Sequence, residues 1–132
     1  MAFTPINYED GHMVDLPMTA ATYTKGQALT CTSGYYITFT GAGEVMAICM
    51  EGIVIATTGD TARCCITRGP RFQADTLATV TQTQVGTECD LSTALLLDTS
   101  ATTNNNFYIE KAILPLTDKK VIGYFKHENP NS

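Results

Sequence analysis

Positive charge is scarce in this sequence. Eight Lys and Arg stand against thirteen Asp and Glu, a net charge of −5 over 132 residues. Nucleic-acid binding rests on neutralising phosphates with cations, and an acidic chain with no basic block is not built for it. Arg63, Arg68 and Arg71 come nearest to a cluster, and they read as solvated strand or rim positions. No apolar stretch approaches the ~20 residues of a membrane helix, so no membrane contact is expected. Residues 1–20 lack a basic start and a long apolar run, so no signal peptide is expected either. From Thr24 to Pro70 no helical repeat of apolar positions lasts longer than one turn.

The groups that carry chemistry are equally thin. There are two histidines, His12 and His127, one near each end, and both read as exposed surface imidazoles. Cysteines occur at 31, 49, 64, 65 and 89, an odd number without a C-x-x-C spacing. Free, mostly buried thiols in a reducing compartment follow. Cys64 and Cys65 would face opposite sides of a strand and so chelate one ion poorly, which argues against zinc or any other metal. As nucleophiles they lack a nearby histidine in a well-defined element; a cysteine-dependent hydrolase is the enzyme alternative. Glu44, Glu51, Asp60 and Asp75 each sit at an expected turn, where acidic residues need no catalytic explanation. Gly41, Gly43 and Gly52 do not have the spacing that cradles a phosphate. Aromatics do not interleave with basic residues as in a single-strand nucleic-acid platform. No catalytic residue, cofactor or metal is therefore expected.

What the chain does contain is threonine, twenty-two of them. Thr is β-branched and favours strands, while its hydroxyl tolerates water. Used in place of Lys or Glu, it gives a weakly charged β surface suited to docking on other protein. The apolar content of 44% with 16% charged residues fits one folded domain.

Short β-type runs cut by glycine turns predict an all-β fold, a small barrel or sandwich of short strands with an extended N-terminal arm and room for one short helix. Strands are expected over Ala28–Thr32, Tyr35–Thr40, Val45–Met50, Ile53–Thr57 and Thr61–Thr67. In Tyr35–Thr40, period two sets Tyr35, Ile37 and Phe39 on one face. The nearly continuous apolar runs Val45–Met50 and Ile53–Thr57 are the candidates for the centre of the core. Gly41-Ala42-Gly43 and Gly59-Asp60 are turns, and Arg68-Gly69-Pro70 ends a strand because Pro cannot donate to a ladder. Further on, Leu77–Gln82 alternates like a strand, Asp90-Leu91-Ser92 reads as a turn or cap, and Ser92–Leu97 admits a short helix. Thr99–Asn106 reads as a mobile surface loop, and Phe107–Leu114 and Lys120–Phe125 as closing strands.

The expected organisation is an N-terminal arm over residues 1–17, a β-barrel domain over 18–126 and a frayed tail over 127–132. The arm carries Phe3, Ile6, Tyr8, Met13, Val14 and Leu16, too many large apolar groups for a disordered tail. It either packs back on its own domain or lies across a neighbouring subunit. The sequence also leaves open whether residues 75–125 complete one barrel or form a second lobe.

One resemblance runs along this succession. Lys25-Gly26-Gln27-Ala28-Leu29, Val45-Met46-Ala47-Ile48-Cys49, Glu51-Gly52-Ile53-Val54, Thr58-Gly59-Asp60 and Arg68-Gly69-Pro70 alternate turn glycines with strands. With Asn106-Phe107-Tyr108-Ile109 and Val121-Ile122-Gly123-Tyr124-Phe125 as closing strands, the pattern resembles the small capsid decoration (cement) proteins of tailed bacteriophages, the lambda-type head-decoration class. The resemblance implies a β-barrel viral structural protein without enzymatic activity. It would form a homotrimer and bind the major capsid protein on the outside of the head, stabilising contacts between neighbouring subunits. It would be made in the host cytoplasm and end on the virion's capsid surface. The capsid or subunit contacts would then come from the arm residues Phe3, Ile6, Tyr8, Met13, Val14 and Leu16. The alternative is another virion module, a tail, baseplate or fibre-head protein that binds protein or glycan through the Thr99–Asn106 loop.

Overall fold

The computed structural model describes residues 2–41 and 43–127; the fold is all-β, with no helix of seven residues or more among the described residues. The first seventeen residues supply β1 (Phe3–Pro5) and β2 (Met13–Pro17). Next come β3 (Ala21–Tyr23), β4 (Ala28–Thr32), β5 (Tyr35–Thr38), β6 (Ala47–Cys49) and β7 (Ile53–Ile55). β8 (Thr61–Ile66) and β9 (Phe72–Asp75) flank the Gly69-Pro70 turn. β10 (Glu88–Thr93), β11 (Leu96–Asp98), β12 (Phe107–Ala112) and β13 (Lys120–Phe125) complete the chain.

A six-stranded sheet runs in the order β1-β9-β13-β12-β10-β11 and a five-stranded sheet in the order β2-β8-β6-β4-β5; β3 and β7 form a separate ribbon. Every ladder is antiparallel. The five-stranded sheet curls until its edges meet. Met18, just after β2, bridges Tyr36 in β5, and the Thr19 N–H donates to the Tyr36 carbonyl at 2.9 Å.

Strand alternation divides the interior into two cores. Ala28, Ile48 and Cys65 project from the five-stranded sheet into a first core, shared with Phe3, Phe72, Phe107, Ile109 and Val121 of the six-stranded sheet. Their neighbours Leu29, Ala47, Cys49 and Cys64 project the other way, into a second core with Met18, Tyr23 and Ile55. A strand buried on both faces needs apolar residues at every position, which is why Val45–Met50 reads as an unbroken apolar run. In the first core Phe125 makes edge-on contacts with Phe3, Phe72 and Phe107, with ring centroids 5.1, 5.2 and 5.1 Å away, the geometry that aromatic quadrupoles favour.

Several sequence expectations change. Of the two placements open to residues 1–17, the structure shows the segment folded onto its own domain, in both sheets. β1 pairs with β9, and β2 with β8. Phe3 is fully buried, so it is a core residue and not a contact residue. Met13 and Leu16 pack partly against the first and second cores respectively, and Val14 is half-buried in β2. Ile6 and Tyr8, at 46% and 47% exposure, do face solvent. Pro5 fits because β1 is an edge strand, where a missing donor costs no ladder bond.

The short helix admitted at Ser92–Leu97 is instead the β10–β11 hairpin, with a register shift between Leu91 and Thr93. So short a segment cannot offset helix nucleation, whereas the ladder pairs its backbone. Asp90-Leu91-Ser92 accordingly lies inside β10, not at a turn. Leu77–Gln82 is not a strand; only the Leu77 N–H meets a neighbouring strand, at the Leu97 carbonyl. The strand of this region lies earlier, at Phe72–Asp75. In β5, Phe39 enters the first core just beyond the strand end while Tyr36, on the face expected to be polar, packs against the second. Residues 74–125 share the first core with Phe3, Ala28 and Ile48. In the tail, His127 is described and residues 128–132 lie outside the described residues.

Candidate binding site

The polar segment after β11 owes its shape to one carboxylate. Asp90, buried in β10, accepts the Thr103 N–H on Oδ2 at 3.0 Å and the Asn104 and Asn105 N–H groups on Oδ1 at 2.7 and 2.6 Å. A buried charge must be met by donors, and three successive backbone amides meet this one. They require a tight backbone arc, in which Asn105 takes a left-handed conformation with φ 51°, one that Asn tolerates. Asn104 Nδ2 donates to the Gly41 carbonyl at 2.6 Å and Asn106 Nδ2 to the Gly43 carbonyl at 3.0 Å. Both glycines have positive φ, 111° and 84°, so their carbonyls turn outward at no steric cost. The loop expected to be mobile is thus tied to Asp90 and to the carbonyls of Gly41 and Gly43.

Beside it opens a cavity of roughly 450 Å³, lined by Gly43, Glu44, Glu88, Lys126, His127 and the loop residues Thr103–Asn106. Lys126 pairs with Glu88. His127 was expected to be an exposed imidazole, yet its side chain is only 7% exposed. The Thr67 hydroxyl donates to the Val45 carbonyl at 2.7 Å, so the His127 Nε2–H, 3.3 Å away, donates to the Thr67 oxygen. Nδ1 is then an acceptor, 3.6 Å from Glu44 Oε2. Burial, reinforced by the Arg68 charge, lowers the His127 pKa against the opposing pull of Glu44. Among the described residues, His127 Nδ1 and the Asn106 Oδ1 atom have no hydrogen-bond partner. Asn106 is itself 5% exposed. Both atoms are closed to solvent, so what a ligand in the cavity meets is the polar lining of Glu44, Glu88, Lys126 and the Thr103–Asn106 loop. Among the described residues no group of three His, Cys, Asp or Glu could hold a metal ion.

A histidine held neutral in the fold destabilises it once the unfolded chain takes up a proton. Its contribution is complete above the ordinary value of 6.5 and is lost as pH falls through 6.5 toward the lower folded pKa. Thermal unfolding followed from about pH 7.5 to 5.5 should show falling stability in the native chain and a flatter profile in His127→Gln. Equal slopes would refute the assignment. His12 is not an exposed imidazole either: its Nδ1 accepts the Glu9 N–H at 2.9 Å, closing a 3-10 turn.

The outer face of the six-stranded sheet forms a second polar surface. Tyr108 and Tyr124 stack with centroids 5.1 Å apart. The Arg71 guanidinium lies 4.7 Å over the Tyr124 ring and pairs with Glu110 at 2.6 Å. Lys120 pairs with Asp75 at 2.7 Å. Such exposed pairs add little stability, but they neutralise the face and hold its aromatics in place. The Ile6 N–H donates to the Arg71 carbonyl at 2.9 Å, and the Arg71 N–H to Asn7 Oδ1 at 2.5 Å. The exposed part of the N-terminal segment is thereby fixed alongside this face. Sequence reading named Ile6 and Tyr8 as contacts and Arg71 as a strand or rim position, but it did not group Arg71 with Tyr108, Glu110 and Tyr124, which come together only through the β9-β13-β12 order.

Cys64 and Cys65 lie fully buried on opposite faces of β8. Burial pushes the Cys65 thiol up to about 11, away from nucleophilic thiolate. Compared with protein-family models, curated proteins and solved structures, the chain matches none of them.

Proposed function

We propose that this chain is a structural protein that docks on the outer surface of a bacteriophage head. There it stabilises contacts between major capsid subunits, as a homotrimer and without catalytic chemistry. The observation that carries the reading is the Ile6–Tyr8 segment. Its two large apolar side chains are exposed on a loop whose flanking strands belong to different sheets, beside the Arg71–Tyr124–Tyr108 face. Groups already held in place lose little entropy on docking, and Tyr and Arg are favoured interface residues. Repetition over a shell multiplies weak contacts by avidity. The turn-and-strand resemblance to cement proteins supplies the choice of partner.

Truncating the first sixteen residues is not a clean test, because it removes strands from both sheets. Point variants are. Full burial of a large apolar side chain stabilises by roughly 1.5–3 kcal/mol. The double variant Ile6→Ser/Tyr8→Ser should keep its fold and bind empty heads at least about tenfold more weakly in co-sedimentation. Undiminished occupancy would sink the proposal.

The polar cavity beside the loop favours a second reading, a tail, baseplate or fibre-head module whose Thr99–Asn106 loop recognises protein or glycan. Loops held on a rigid scaffold suit recognition. Electron microscopy of labelled virions separates the two readings by where the protein sits.

A further inference from the structure

β6 and β8 place two thiols side by side. Cys49 is paired with Cys64 in the ladder. The Met50 N–H donates to the Arg63 carbonyl at 2.8 Å, and the Thr67 N–H to the Met46 carbonyl at 3.2 Å. Hydrogen-bonded and non-hydrogen-bonded pairs alternate along an antiparallel ladder, so Cys49 and Cys64 form a non-hydrogen-bonded pair. That is the type in which side chains stand closest, with Cα atoms about 4.5 Å apart. Disulfides accept Cα separations of about 4.4–6.8 Å. Both side chains enter the second core. The alternatives are poorly placed: Cys65 and Cys89 lie in the first core, across the sheet, and Cys31 is exposed.

We propose that Cys49 and Cys64 are a disulfide site: a cross-strand bond links β6 to β8 when the chain folds in the presence of a small disulfide of the oxidised-glutathione class. One cysteine thiolate attacks a sulfur of the small disulfide, whose S–S bond breaks and releases one glutathione thiol. The second cysteine thiolate attacks the mixed disulfide at the protein sulfur and releases the other. The protein loses two electrons and two protons, and the small disulfide gains both. In the finished fold the Cys49 S–H is engaged by the Glu51 carbonyl at 3.1 Å. The neighbouring Cys49 thiol, together with burial, pushes the Cys64 thiol up. Thiolate is therefore scarce at Cys64, and both sulfurs are fully buried, out of reach of a small disulfide, so the bond forms during folding rather than by attack on the folded domain. The inference is independent of the proposed capsid role.

The test uses the full chain carrying Cys31→Ser, which removes the exposed competitor. It is refolded from denaturant either in a glutathione redox buffer or in excess dithiothreitol, then alkylated and digested without reduction. The oxidised sample should lose about 2 Da, from the two hydrogens given up, yield one linked peptide joining Cys49 to Cys64, and melt higher by on the order of 10 °C. Folded protein in which all remaining thiols still alkylate would overturn the proposal. So would glutathione adducts without the link, or a link between other cysteines. No core substitution is needed, so failure of a variant to fold cannot obscure the result.

Discussion

Gly123→Ala should abolish folding. Gly123 lies in β13, opposite Ile109 on one side and Phe72 on the other. A Cβ built there would overlap the Tyr108 carbonyl oxygen and stand 2.8 Å from Phe107 Cε1. The carbonyl belongs to the backbone of β12 and cannot rotate aside, and the Phe107 ring is fixed by its contact with Phe125. The remaining response is to separate β12 from β13 at the centre of the six-stranded sheet. Overpacking that displaces backbone belongs to the small class of substitutions costing more than about 4 kcal/mol, against a total stability of roughly 5–15 kcal/mol. Circular dichroism of the purified variant should show no cooperative melt. A transition within about 5 °C of the native one would overturn the argument.

Asp90→Ala should give the second largest loss. It deprives the Thr103, Asn104 and Asn105 amides of their shared acceptor. Water can replace the carboxylate at exposed Thr103 and Asn104 more readily than at half-buried Asn105. The net cost should be about 2–4 kcal/mol, less than three independent charge-assisted bonds would suggest. The melting temperature should fall by on the order of 10 °C. The more specific readout is hydrogen exchange, which should quicken at residues 103–105 while the β12–β13 amides keep their relative protection. Asp90→Asn, which keeps one acceptor oxygen, should fall between the native chain and Asp90→Ala. Unchanged exchange in Asp90→Ala would mean that the loop holds its own shape.

These two residues show why parts of the molecule could be read from the sequence and parts could not. A strand that alternates over one core announced itself, as in Lys120–Phe125, and Thr61–Ile66 stood out between its flanking glycine turns. The double-faced strand around Ile48 did so through its unbroken apolar run. β9 has four residues, Phe72–Asp75, too few for alternation to stand out after Gly69-Pro70. β10 was hidden by Asp90 itself, a residue typical of turns that is tolerated inside a strand only because distant amides meet its charge. Leu95-Leu96-Leu97 crosses the hairpin into β11, so its apolar run mimicked a helix face. The candidate cavity was half legible: Thr99–Asn106 stood out by composition. Glu44, Glu88 and His127 joined it only through pairings across the fold. The burial of His127 had no local sign, because a histidine near a chain end looks solvated until a partner such as Thr67 is in view.

The five-stranded sheet shared by two cores has a consequence for how this protein can vary. A side chain of β6, or of the adjoining pairs Ala28–Leu29 and Cys64–Cys65, that turns away from one core meets the other, so those positions have little latitude for change. Tolerance is concentrated on the outer face of the six-stranded sheet and on the exposed stretches that border it, Ile6–Tyr8 and Thr102–Asn104. If partner choice drifts in descendants of this chain, it can do so there while the sequence of β6 stays nearly constant.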